Sequence, residues 1–132
     1  MITKRTYLSG PITGRHMLNI ESFTGLRDTL VQMGVSAGNV VVPHELFDAE
    51  DTEQPWEYYM RKCIAELIHC ELVLTLPDWE ESNGAKLEVH IARALNIEVK
   101  DANVYLTELK KRTYEKSSTT ISTEQIVAST NA

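Results

Sequence analysis

"ELVLTLPDWEESNGAKLEVHIARAL", Glu71 to Leu95, reads as a strand that runs directly into a helix, and this reading decides the fold. Its first six residues are nearly all apolar in the middle, as suits a strand covered on both faces of a sheet. "PDWEESNG" then gathers turn-forming and polar residues, with Ser82 standing where a helix N-cap belongs. Beyond it, Leu87, Ile91, Ala94 and Leu95 recur at helical spacing and predict an apolar stripe. Glu88 falls at the edge of that stripe, because Gly84, Ile91 and Leu95 lie within roughly 40–60° of it on a 3.6-residue repeat. Gly84, one turn earlier, leaves space in front of it. A buried carboxylate costs several kcal/mol unless it is paired or put to use. Glu88 therefore needs a partner or a job.

Working outward, "RTYLSG" (Arg5 to Gly10) is a short strand-like run that stops at "GPITG". From Asn19 to about Met33, the apolar positions Ile20, Phe23, Leu26, Leu30 and Met33 predict an amphipathic helix, which Gly34 is placed to end. "NVVVP" (Asn39 to Pro43) predicts a second strand, and "HELFDAEDTEQ" an acidic loop. Pro55 suits the first position of the next helix, whose Met60, Ile64, Leu67 and Ile68 share one face. After the opening stretch, "IEVK" and "NVYL" are candidates for closing strands. Strands alternating with helices predict a three-layer α/β architecture, with a parallel sheet and right-handed crossovers. We expect one domain over residues 1–109 and a polar tail over 110–132, in which "EQIVA" is the only apolar content. A docking segment for a partner subunit is the alternative reading of that tail. No internal repeat is visible.

The bulk numbers fit one domain with a real core: 132 residues, 42% hydrophobic and 24% charged. A net charge of -6 argues against a nucleic-acid polymer as partner, since duplex binding needs a basic surface. Cys63 and Cys70 have neither metal-ligand spacing nor a disulfide framework. "MITKRTYLSG" lacks the apolar run of a signal peptide, and no segment is long enough to span a membrane. A cytoplasmic location without membrane association is expected.

In an open parallel sheet, ligands bind beyond the carboxyl ends of the strands. Here those ends are "SGPITGR", "PHEL" and "PDWEESNG", which should converge. In the first, Ser9, Gly10, Pro11, Thr13, Gly14 and Arg15 are candidate binding residues, although the stretch is neither GxGxxG nor a P-loop and a plain strand-to-helix turn would look the same. Ser82 and Asn83 offer a helix start to an anion, or cap the helix and do nothing more. His44 follows a strand end and can touch a ligand or be an ordinary loop histidine. Trp79 can stack on a base or sugar, or cover the sheet edge. His90 lies about 160° from Glu88 around the helix, so the two cannot share a metal. Tyr7 reads as a core residue whose hydroxyl, if near Glu88, would satisfy the carboxylate.

"YLSGPITG", then Asn19 and Phe23, then "LPDWEESNGAKLE", resemble the nucleoside 2-deoxyribosyltransferase-like superfamily, closest to a branch of small bacterial and phage proteins. The resemblance covers about Thr6 to Ile97. It implies a Rossmann-like or flavodoxin-like parallel sheet, here of about five strands, and chemistry at the N-glycosidic bond of (deoxy)nucleosides or their 5′-monophosphates. By that resemblance Glu88 is the nucleophile and Tyr7 orients it. Asn19 belongs to the binding motif, and Ser82 matches a serine that holds a 5′-phosphate in related monophosphate hydrolases. It also implies a homo-oligomer. Two positions depart from the branch: Glu71 replaces an aspartate, and Asp78 replaces a glycine, adding a carboxylate that can serve as acid–base partner or repel a phosphate.

Three functions follow as expectations. The first is a nucleotide N-glycosidase or deoxyribosyltransferase with Glu88, Tyr7 and Asp78 as catalytic residues. The second is a non-catalytic protein that senses or sequesters a nucleotide. The third is an assembly or inhibitor protein with a vestigial pocket. The first two take a small nucleoside or nucleotide and need no cofactor or metal.

Overall fold

The computed structural model describes residues 4–112. Four strands, β1 (Thr6–Ser9), β2 (Val40–Val41), β3 (Leu72–Thr75) and β4 (Glu98–Asp101), form a parallel sheet in the order β2-β1-β3-β4. Helices α1 (Ile20–Gln32), α2 (Trp56–Leu67) and α3 (Asn83–Ala94) connect them, and α4 (residues 102–112) follows β4. The sheet is parallel because each return crosses through a helix.

Side chains alternate along each strand, so every strand feeds both faces. Leu8, Leu72 and Leu74 meet Phe23, Leu26 and Leu30 of α1 and Tyr105 and Leu109 of α4. Tyr7, Val41 and Val73 meet Cys63 and Leu67 of α2 and Ala92 of α3. The result is the three-layer α/β architecture expected.

Its details differ from expectation in instructive ways. The sheet has four strands rather than about five, because "NVYL" lies in α4. Ala102, Tyr105 and Leu109 repeat at helical spacing and bury into the first core, and a short apolar run cannot by itself tell strand from helix. Asp101 starts α4 by accepting a hydrogen bond from the Val104 amide at 3.1 Å. The helix continues to 112, past the expected boundary at 109, while the rest of the polar tail and its "EQIVA" lie outside the described residues.

In α3 the buried positions are Ala85, Glu88, Val89 and Ala92. Leu95 is 54% exposed, so the stripe is rotated relative to the one expected and Glu88 stands inside it, not at its edge. Small residues at 85 and 92 bring the helix close to the sheet. α2 is rotated likewise, burying Met60, Cys63 and Leu67 while Ile68 is exposed.

The positions that place the site need particular residues. A Cβ on Gly10 would sit 2.8 Å from Leu76 Cβ, because the ends of β1 and β3 pack backbone to side chain there. Gly34 adopts a φ of 102° just after α1, as the sequence suggested. No helix among the described residues is long and apolar enough to cross a membrane.

Candidate functional site

β1 and β3 are neighbours from which the chain departs to opposite sides, and at such a switch point the loops diverge and leave a crevice. A cavity of about 780 Å³ opens there. The loop after β1 contributes Gly10, Pro11, Thr13 and Arg15, the turn after β2 contributes His44, and the start of α3 contributes Ser82, Asn83 and Glu88. The three segments expected to converge do so.

Glu88 is 5% exposed and lines this cavity. Tyr7 and Ser9, two apart on β1 and so on the same face, both point at it. The Tyr7 hydroxyl donates to Oε2 at 2.5 Å and the Ser9 hydroxyl donates to Oε1 at 2.8 Å. Each carboxylate oxygen thus has its own donor, which fixes the plane of the group. Burial pushes the Glu88 carboxyl up to about 7, against the opposing pull of the two hydroxyl hydrogen bonds. Burial, then the charge of Glu88, pushes the Tyr7 phenol well above its ordinary value, so Tyr7 stays a donor. Cys63 also lines the cavity, and burial raises its thiol to about 11, which keeps it protonated.

A model of the family described as a domain of unknown function, DUF4406, matches residues 4–101. The chain belongs to the DUF4406 family. The match takes in all four strands and every residue that holds Glu88. No curated protein matches the sequence.

Other expected residues of this DUF4406 domain are distributed less simply. Asp78 lies outside the cavity lining, exposed, with a left-handed φ of 65°. It pairs with Arg15 at 3.5 Å. Trp79 is half-buried in the 3₁₀ turn Trp79–Glu81 and does not line the cavity. Ser82 caps α3 by accepting from the Ala85 amide at 3.1 Å, as expected, and lines the cavity as well. Asn19 and Gly14 shape the first loop without lining the cavity: Gly14 has a φ of 79°, and Asn19 Nδ2 donates to the Pro11 carbonyl at 2.8 Å. Gly84 lines the cavity one turn before Glu88, and a Cβ there would lie 3.1 Å from Met60 Sδ.

His44 props the same loop. Its Nε2 meets the Leu18 carbonyl at 2.6 Å, and because a carbonyl only accepts, Nε2 carries the hydrogen. Nδ1 is buried without a partner among the described residues. Met17, Leu18 and Asn19 run through three consecutive left-handed conformations, with φ of 47°, 54° and 60°. Each costs on the order of 1 kcal/mol for a non-glycine residue, and the contacts from His44 and Asn19 hold the segment there.

One wall of the site was missed. Phe47, Asp51, Trp56, Tyr59 and Met60 line the cavity from the acidic loop and the start of α2. Asp51 organises this wall. The Tyr58 hydroxyl donates to its side chain, Lys62 pairs with it at 3.2 Å, and the Tyr59 hydroxyl donates to its carbonyl at 2.6 Å. The Tyr58 hydroxyl above all, then the local backbone amide and Lys62, hold its carboxyl down at about 2. The signal in the sequence was an acidic loop followed by Tyr58, Tyr59 and Lys62 on the first turns of a helix, but nothing local says that these residues fold over a pocket. Among the described residues, no group of three or more His, Cys, Asp or Glu side chains could hold a metal ion.

Proposed function

We propose that the protein cleaves or transfers the N-glycosidic bond of a (deoxy)nucleoside or its 5′-monophosphate, with Glu88 as the nucleophile. One observation carries this reading: a buried carboxylate in the cavity, oriented by two hydroxyl donors and, among the described residues, without a cation to neutralise it. A structural glutamate would ordinarily be given an arginine or lysine. The resemblance of the β1 loop and the "LPDWEESNGAKLE" stretch to the nucleoside 2-deoxyribosyltransferase-like superfamily supports the same assignment.

In the first step one oxygen of ionised Glu88 forms a bond to the anomeric carbon as the carbon–nitrogen bond breaks, and the base departs with the bonding pair and takes a proton from solvent water. Water or a second base then displaces Glu88 with the reverse change at the same carbon. Tyr7 and Ser9 serve the carboxylate when it ionises and again when it leaves. The aromatic wall of Phe47, Trp56 and Tyr59 offers faces on which a base can stack.

The test is release of free base, followed by chromatography, from ribo- and deoxynucleosides and their 5′-monophosphates. Wild type is expected to release base, and Glu88→Ala to lose at least about 10³-fold in rate while remaining folded. Tight binding of a nucleotide with no release would instead favour the non-catalytic sensor or sequestering role.

A further inference from the structure

Among the described residues, Arg15 is the only lysine or arginine that lines the cavity, and it is already engaged. Its Nη2 lies 3.0 Å from Glu81 Oε2 and 3.5 Å from Asp78 Oδ2. Glu80 adds another exposed carboxylate to the same turn. The amides at the start of α3 act in the opposite sense, but a helix N-terminus carries only about half a positive charge. One guanidinium and that half charge stand against Glu81 on the lining and Asp78 and Glu80 on the same turn just outside it, so this rim of the cavity is net negative. Ser82 Oγ accepts from the Ala85 amide in capping α3, and its hydroxyl hydrogen is left to donate to a ligand.

Resting on the N-glycosidic reading of Glu88, we infer that Asp78 and Glu81 are specificity determinants that make the site select a neutral nucleoside over its 5′-monophosphate. A phosphate monoester carries about −1.5 to −2 charges at neutral pH. To reach Arg15 it must displace Glu81, and it then lies beside carboxylates that have lost their counter-ion. A 5′-hydroxyl meets the opposite situation, since it is a donor and Glu81 is an acceptor on the cavity wall. Repulsion between partly solvated charges a few ångströms apart amounts to roughly tenfold in preference.

The experiment compares wild type with the Asp78→Asn/Glu81→Gln double variant in two ways. Isothermal titration with inorganic phosphate at low salt is expected to show no saturation of wild type at about 10 mM. The double variant should bind phosphate at least about tenfold more tightly, and the gain should shrink as salt screens the charges. In parallel, the ratio of kcat/KM for a 5′-monophosphate to that for its nucleoside should be below about 0.1 in wild type and rise at least about tenfold in the double variant. Millimolar phosphate binding by wild type, a wild-type preference for the monophosphate, or an unchanged phosphate affinity in the double variant would overturn the inference. Silence in the kinetic arm with a positive phosphate arm would count against the glycosidic reading alone, leaving anion exclusion at Arg15 standing.

Discussion

β1 sends Leu8 to one face of the sheet and Tyr7 and Ser9 to the other, and the two faces differ in what they bury. On the first, α1 and α4 close over Leu8, Leu72 and Leu74 with an apolar surface. On the second, α2 and α3 close over Tyr7, Val73 and a carboxylate. Both are equally shielded from water, with Leu8 and Tyr7 alike at 0% exposure. The first face gains stability from every group it removes from water. The second sacrifices some of that gain to keep one charge-bearing group in a low-dielectric setting, which is where natural proteins surrender stability for function.

Substitutions can break that contrast. The largest stability effect is expected on the apolar face. Leu30→Ala, at a position 1% exposed, should cost about 3 kcal/mol in urea unfolding, with nearly the same value at pH 5 and pH 8. Equal destabilisation from a truncation on the solvent side of α1 would show that this core is not what holds the sheet.

Opposite in sign and dependent on pH is Glu88→Gln. The folded chain holds the Glu88 proton at about 7, above the ordinary carboxylate value of 4.5, so it binds that proton more tightly than the unfolded chain does. The contribution is fully present below the unfolded value and is lost as pH rises through the folded one, a swing of about 3 kcal/mol. Removing the ionisable group should therefore stabilise the protein by about 3 kcal/mol at pH 8 and leave it unchanged near pH 4. A gain of the same size at both pH values would mean that packing, not ionisation, separates the two side chains.

The smallest effects are expected from the donors. Tyr7→Phe should cost about 1.5 kcal/mol at pH 8 and Ser9→Ala about 1 kcal/mol, both less at pH 5, where Glu88 is protonated and accepts weaker hydrogen bonds. Each should also raise the pH at which Glu88 titrates, read from its side-chain carbon signal by NMR. A titration unmoved by either change would sever the two hydroxyls from the carboxylate.

Most of the architecture was legible along the chain. Apolar runs and helical spacing located β1, β2, β3, α1, α2 and α3 to within a few residues, because burial period follows directly from backbone geometry. Gly34 and Ser82 marked helix ends for reasons that need no neighbours. Local reasoning failed at "NVYL", where four residues fit strand and helix equally and only the surface that α4 covers decides between them. It also misjudged the rotation of α2 and α3. Apolar counting favoured Leu95 and Ile68 over Glu88 and Cys63, whereas the sheet accepts the smaller residues that let a helix come close.

The same division runs through the site. Sequence determined that a glutamate stood on a helix face where a charge is costly, and that three strand ends would meet near it. Tertiary structure alone decided that Tyr7 and Ser9, about 80 residues earlier, would each take one of its oxygens. It also paired Asp78 with Arg15, and brought Asp51 with its tyrosines to the cavity wall. Hydrogen bonds and ion pairs act over about 3 Å in space without regard to separation along the chain, so a one-dimensional pattern can name the groups but cannot pair them.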